Sequence, residues 1–160
     1  ITVATGKEME AAPADIFQDT DSEAVRKAYQ AGIINGMGDG TFAPKQTMTR
    51  EQMATMIHRA ISYIEKETGV KLLTKPAVIQ GYTDENQVSD WAAEGMKALV
   101  ANGVINGTSD TTFSPNISCT RAQMVTFLWR ASPPRRVDNR IRNSRRKNTG
   151  FVGQGIHPQR

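Results

Sequence analysis

An all-α fold of two tandem helix–loop–helix modules is what this chain predicts, on three observations. The segment GIINGMGDGTFAPKQTMTREQMATMIHRA at residues 32–60 returns without a gap at 103–131 as GVINGTSDTTFSPNISCTRAQMVTFLWRA, with 15 of 29 positions identical at an offset of 71. Self-similarity of this kind marks a repeat architecture. In each copy, apolar residues recur at helical spacing on both sides of a loop rich in turn residues. Each second helix, finally, opens on a Thr followed three residues later by a Gln, the capping-box signature.

The first helix of copy one is expected over Glu23 to Ala31, with Val25, Ala28 and Tyr29 on one face and Gly32 at the left-handed terminus. Copy two repeats it over Trp91 to Asn102, with Trp91, Met96, Leu99 and Val100, ending at Gly103. Asn35-Gly36 and Asn106-Gly107 follow as sharp turns. The loops continue through Asp39 or Asp110 to Thr41-Phe42 or Thr112-Phe113 and then Pro44 or Pro115. A Phe recurring among turn residues reads as an anchor that pins the loop to the helices. Thr49 and Thr120 are natural N-caps, with Gln52 and Gln123 completing their boxes. Beyond them Met53, Met56, Ile57, Ala60, Ile61 and Ile64 share a face, as do Met124, Phe127, Leu128 and Ala131. Two short helices cannot bury such stripes alone, so the modules are expected to pack on each other or on a further module.

Composition removes several function classes. No run approaches the roughly 18 apolar residues of a membrane span, so membrane insertion is not expected. Cys119 is the only cysteine, which excludes an internal disulfide framework and a Cys-rich metal site. The chain opens at Ile1 without the pattern of a signal peptide and reads as a segment of a longer protein. Its net charge of +4 is uneven: residues 132–160 hold eight Lys or Arg against one Asp, leaving residues 1–131 net negative. The basic run from Arg135 to Lys147 has almost no apolar pattern and reads as disordered.

Arg50 and Arg121 follow directly after the two caps, in the first helical turn, where the helix dipole disfavours a cation by about 0.3–1 kcal/mol. A guanidinium beside helix-start amides is a receptor for a carboxylate or phosphate. The other readings are an internal ion pair with Asp19, Asp39, Asp84 or Asp110, and a solvated surface position.

Together these motifs resemble the S-layer homology module of bacterial surface proteins. They are an F-x-D opening (Phe17, Asp19), G-[IV]-I-x-G (Gly32-Ile33-Ile34 and Gly36), D-G-T-F-x-P (Asp39 to Phe42, Pro44) and T-R-[AE]-[EQ] (Thr49 to Gln52). The second copy supplies Tyr82, Asp84, Trp91, Gly103-Val104-Ile105, Gly107, Asp110, Thr112-Phe113, Pro115 and Thr120 to Gln123. The resemblance places modules at 16–69 and 82–131, which leaves an N-terminal extension at 1–15, a linker at 70–81 and the basic, disordered tail at 132–160 outside them. It further implies that the modules form part of a pseudo-threefold helical bundle at the bacterial cell surface. Their function would be non-catalytic, wall-anchoring binding of an anionic, pyruvylated secondary cell-wall polysaccharide. The ligand-binding residues so implied are Arg50, Arg121, Trp91, Thr49, Thr120, Gly36 and Gly107, with no metal and no cofactor. Thr20 stands at the first-copy position of Trp91, and no third module is visible, so a further module or another copy of the chain is the partner that would complete the grooves.

Other chemistries fit less well. An EF-hand loop needs oxygen ligands at positions 1, 3, 5 and 12. Counting from Asn35 these are Asn35, Met37, Asp39 and Gln46, and from Asn106 they are Asn106, Thr108, Asp110 and Ile117, one carboxylate each. Cys119 aligns with Met48 and His58 with Trp129, which argues against a Cys/His nucleophile pair. Asp39 and Asp110 recur within a turn, where an Asx-type cap explains them. Two alternatives to glycan binding are a protein–protein module of a surface array and non-specific polyanion or nucleic-acid contact through the tail, with no specific nucleic acid expected.

Overall fold

The computed structural model describes residues 1–78 and 81–131; the basic tail and part of the expected linker lie outside them. The described residues form α1 (Thr2–Thr5), α2 (Glu23–Gln30), α3 (Arg50–Thr68), α4 (Asp90–Ala101) and α5 (Arg121–Ala131), with a 3-10 turn at Glu85–Gln87. Among them β pairing is confined to one isolated antiparallel bridge, Thr49 with Ser118. The all-α expectation is met.

Local chemistry fixes the helix ends as expected. Gly32 and Gly103 both adopt a left-handed conformation, at φ 70° and 71°. The next amides, of Ile33 and Val104, reach back to the carbonyls of Ala28 and Leu99 at 2.9 Å, closing the last turn. Both capping boxes are closed. In α3, Gln52 N donates to Thr49 Oγ1 at 3.3 Å and Thr49 N to Gln52 Oε1 at 2.9 Å. In α5 the matching bonds between Gln123 and Thr120 are 3.2 and 3.0 Å.

Each loop is held by the carboxylate of its own F-x-D or Y-x-D segment. Asp19 accepts from the amides of Phe42 and Ala43 at 2.8 and 2.7 Å, and Asp84 from those of Phe113 and Ser114 at the same distances. Ala43 and Ser114 carry positive φ, 56° and 52°, which an L-residue adopts only at a cost. The two charge-assisted bonds offset that cost, and the aromatic two residues before each Asp packs behind the loop. Tyr82 stacks on Phe113 at 3.8 Å between centroids, while Phe17 meets Phe42 at 5.7 Å and Tyr29 edge-on at 5.3 Å. The expected Phe anchor is thus one half of an aromatic pair.

Packing crosses the module boundary. Met53, Ala54, Ile57 and Ile61 of α3 share one core with Ala92, Met96 and Leu99 of α4, Val104, Ile105 and Phe113 of the second loop, and Phe127 of α5. The long helix of module one therefore packs along the first helix of module two, with smaller contacts to α1 and α5, whereas α2 packs on no helix among the described residues. Met124 and Ala131 lie against the same core, but Leu128, expected on that stripe, is 48% exposed. The N-terminal extension is a strap. α1 packs on α3, Lys7 pairs with Glu67 at 2.9 Å, and further on Arg26 Nη1 donates to the carbonyl of the buried Ala12 at 2.8 Å while Lys27 pairs with Glu8 at 3.0 Å.

A Cβ on Gly36 would stand 2.5 Å from Phe17 Cε1 and 2.7 Å from the Thr41 carbonyl, at a position with φ 71°. Gly38 has φ 89° and open space around it. Urea denaturation is expected to give Gly36→Ala a loss of about 3 kcal/mol, from conformation and overlap together, and Gly38→Ala only about 1 kcal/mol.

Candidate functional site

The start of α3 is driven into module two. Arg50 N and Glu51 N donate to the carbonyls of Ile117 and Pro115 at 3.0 and 3.1 Å, and Cys119 N returns a bond to the Met48 carbonyl at 2.9 Å. With Gln52 N capped by Thr49, the helix-start amides of α3 are engaged. The Arg50 side chain follows the same course. It is 4% exposed, its Nε donates to the Phe113 carbonyl at 2.9 Å, its Nη2 to the Asn106 carbonyl at 2.7 Å, and its guanidinium lies 5.5 Å from the centre of the Phe127 ring. Burial lowers its pKa from the ordinary arginine value, with the neighbouring Cys119 and Asp84 acting in the opposite direction.

Glu51, only 5% exposed, accepts from Ser89 N at 2.9 Å and Ser89 Oγ at 3.0 Å. Ser89 is the N-cap residue of α4, so a carboxylate of module one caps a helix of module two and complements its positive end. The two adjacent charges, Arg50 and Glu51, both bond across the seam.

Beside this seam lies a groove of about 430 Å³ lined by module one, with Trp91 its one lining residue from module two. Trp91, 54% exposed on the first turn of α4, faces the module-one loop at Asn35, Gly36 and Phe42 and the α3 side chains Gln52, Met56 and Arg59. The Asn35 amide, oriented by its partners, accepts from Arg59 Nη1 at 3.2 Å. Two expected ligand residues, Trp91 and Gly36, therefore meet in one place, with Thr49 at the adjoining helix cap. The volume suits a ligand of a few rings.

Arg59 is a residue that sequence reasoning passed over, although the signal was present. It is identical to Arg130 in the second copy, as Asn35 is to Asn106, and the second pair repeats the contact at 3.2 Å. Gly107 has a structural need of its own, since a Cβ there would stand 2.4 Å from the Ser109 carbonyl and 2.7 Å from the Tyr82 ring. Thr120 caps α5 as its counterpart caps α3; the side chain of Arg121 lies outside the described residues. Asp39 holds a turn rather than an arginine, accepting from Thr41 N at 3.0 Å and Thr41 Oγ1 at 2.6 Å.

A second cavity, about 550 Å³, opens between Tyr82, Glu85, Asp90 and Lys97. Lys97 is paired there with Glu85 at 2.6 Å, so its lining is net acidic and repels an anion. The groove under Trp91, lined by Arg59 and no acid, is electrostatically the better anion site.

Comparison with known proteins agrees with this architecture. The S-layer homology domain model matches residues 15–54 and 81–125. An endoglucanase of Bacillus sp. (strain KSM-635) is 32% identical over 140 residues, covering 82% of this chain and 14% of that protein. A cellulosome-anchoring protein of Acetivibrio thermocellus is 31% identical over 109 residues, 68% of this chain and 23% of its own length. The middle cell wall protein of Brevibacillus brevis is 32% identical over 114 residues, 71% of this chain and 10% of its own. The chain thus spans less than a quarter of each of these relatives. It belongs to the S-layer homology domain family, and its place is the bacterial cell surface.

Two expectations test the seam and the loops. Replacing Arg50 by Met strands two carbonyls and is expected to cost about 2 kcal/mol in a denaturation curve. Arg50→Lys recovers little of it, because one ammonium does not reproduce the two-pronged geometry. Asp19 is held below the ordinary carboxylate pKa first by the Phe42 amide, with the Ala43 amide adding to it. Its contribution is therefore complete above about pH 4 and is lost as the pH falls through the lower folded-state value. Stability measured from pH 5 to pH 2 is expected to fall less steeply in Asp19→Asn than in the parent.

Proposed function

We propose that this chain is a non-catalytic anchor that fastens a surface protein to the cell wall by binding an anionic, pyruvylated secondary cell-wall polysaccharide in the groove between its two modules. The observation that carries the reading is Trp91 standing exposed on module two while facing the loop and Arg59 of module one. An indole offers a flat apolar face to a pyranose ring, and a guanidinium in the same groove offers two donors to a carboxylate. A pyruvyl ketal is a carboxylate carried on a sugar, so one residue of such a glycan presents both features at once.

Within this reading the seven residues take different parts. Trp91 and Gly36 line the groove, with Thr49 holding the helix start beside it. Arg50 acts at one remove, by clamping the second loop so that α4 and its indole keep their distance from module one. Thr120 caps the corresponding helix start of module two, with Gly107 in the preceding loop, and Arg121, by its position after that cap, is assigned a second anion contact. Catalysis named for some relatives concerns proteins several times longer than this chain.

Pull-down on purified walls, before and after chemical removal of pyruvyl groups, tests the proposal. Binding is expected to be strong on intact walls and lost on depyruvylated ones. Trp91→Ala and Arg121→Ala are each expected to weaken binding about tenfold or more while leaving the helical circular dichroism signal unchanged. Retention on depyruvylated walls, or indifference to both substitutions, would overturn it.

A further inference from the structure

Three Asn-Gly dipeptides occur in the chain: Asn35-Gly36, Asn102-Gly103 and Asn106-Gly107. Such a pair carries a reaction of its own, because a glycine leaves its amide nitrogen unshielded next to the electrophilic Cγ of the asparagine. Whether it runs in the folded chain depends on how each peptide and each side-chain amide is held, and the three differ.

Asn102 is locked. Its Oδ1 accepts from Thr74 N and Lys75 N at 3.0 Å each, and its Nδ2 donates to the carbonyls of Ala98 and Lys75 at 2.8 and 3.2 Å. The Gly103 amide, the attacking group, donates to the Val100 carbonyl at 2.9 Å. Asn35 and Asn106 are exposed, and each side-chain amide has one partner at either atom. Nδ2 donates to the preceding carbonyl, of Ile34 at 3.1 Å or Ile105 at 3.2 Å, and Oδ1 accepts from Arg59 or Arg130 Nη1 at 3.2 Å. Their peptides separate them. The Asn106 carbonyl is clamped by Arg50 Nη2 at 2.7 Å, which fixes the plane of the peptide that contains the Gly107 nitrogen. Neither the Asn35 carbonyl nor the Gly36 amide has a hydrogen-bond partner among the described residues. Arg59, moreover, bonds the oxygen on which negative charge collects when the Asn35 side chain is attacked.

We infer that Asn35 is a site of spontaneous deamidation and that the product turns the groove against anions. The Gly36 nitrogen, having given its proton to solvent base, forms a bond to Asn35 Cγ, and the electron pair displaced onto Oδ1 is held by Arg59. The Cγ–Nδ2 bond then breaks, ammonia leaves with a proton taken from water, and a cyclic imide remains. Water opens the imide at either carbonyl, giving aspartate or its β-linked isomer. The balance is one amide and one water converted to one carboxylate and one ammonium ion. That carboxylate takes the place of the amide beside Arg59, in a groove whose lining holds no other acid, so it pairs with the guanidinium and repels a second anion. The reaction itself stands apart from the glycan reading; its effect on wall binding rests on it.

Ageing the full chain at mildly alkaline pH, folded and in urea, followed by peptide mass mapping, tests the chemistry. In urea the three dipeptides are expected to react at like rates. In the folded chain the expected order is Asn35, Asn106, Asn102, with Asn35 at least about tenfold ahead of Asn102. Arg59→Gln is expected to slow Asn35 and leave Asn106 unchanged. A folded chain in which Asn35 persists as long as Asn102 would overturn the inference, and an unslowed Asn35 in Arg59→Gln would remove the arginine from the step. Asn35→Asp, which carries the product charge without ageing, is expected to hold purified walls at least about tenfold less tightly than the parent. Equal retention of the two would overturn the effect on the groove. A parent that holds no walls while its Asn35 still reacts would count against the glycan reading alone.

Discussion

The clamp of Arg50 on two carbonyls of the opposite module is the contact on which the arrangement of this molecule turns. A buried guanidinium must satisfy its donors or unfold the region that holds it. Here the Asn106 and Phe113 carbonyls belong to the two ends of one loop, so both must be in position before the side chain can be buried. The Phe113 end is itself set by Asp84, which holds the strained Ser114 peptide. Loop, arginine and helix start thus form one polar unit inside an apolar surround, and the Glu51–Ser89 bonds extend it to the first turn of α4, where Trp91 stands. The distance across the groove follows from this chain of hydrogen bonds.

Much of the fold was legible because local chemistry dictates it. Gly32 and Gly103 ended helices where a left-handed residue was needed, and the Thr-x-x-Gln boxes began them, with no help from distant residues. That the modules pack on each other was legible, but which helices meet was not. Apolar stripes on α3 and α4 say that each helix has a buried face, but they do not say that α3 prefers the next module to its own α2. That choice rests on six extra residues between Asp84 and Gly103 relative to the first copy, which lengthen α4 to 12 residues against the 8 of α2. A longer first helix with Met96 and Leu99 offers the larger apolar face, and the 19-residue α3 takes it.

The candidate site was legible in part and for a related reason. Trp91 and Gly36 could be named from motif positions, yet they belong to different modules, and only the packing of α3 on α4 brings them to one groove. For Arg50 the argument from the helix dipole pointed to an anion, from a ligand or from an internal carboxylate; in the structure the buried guanidinium instead bonds carbonyl oxygens, which no charge pattern in the sequence announces. Arg59 was missed because it lies mid-helix, where a basic residue is ordinarily a solvated one. Its pairing with Asn35, repeated by Arg130 and Asn106, distinguishes it.

Duplication with divergence also explains why the two halves are not equivalent in use. Glu51 caps α4 from the neighbouring module, and the second copy has Ala122 at that position, so α5 carries no such carboxylate. Gly95 lets His58 approach closely, whereas the corresponding pair is Ala24 and Trp129, a larger residue on each side. The internal seam therefore has both a polar clamp and close apolar packing. An interface lacking its buried capping carboxylate gives up charge-assisted hydrogen bonds, which are the strong and orienting ones. The physical consequence is that the seam between α3 and α4 is held by oriented polar bonds as well as by apolar packing, which keeps the groove beside it in one shape.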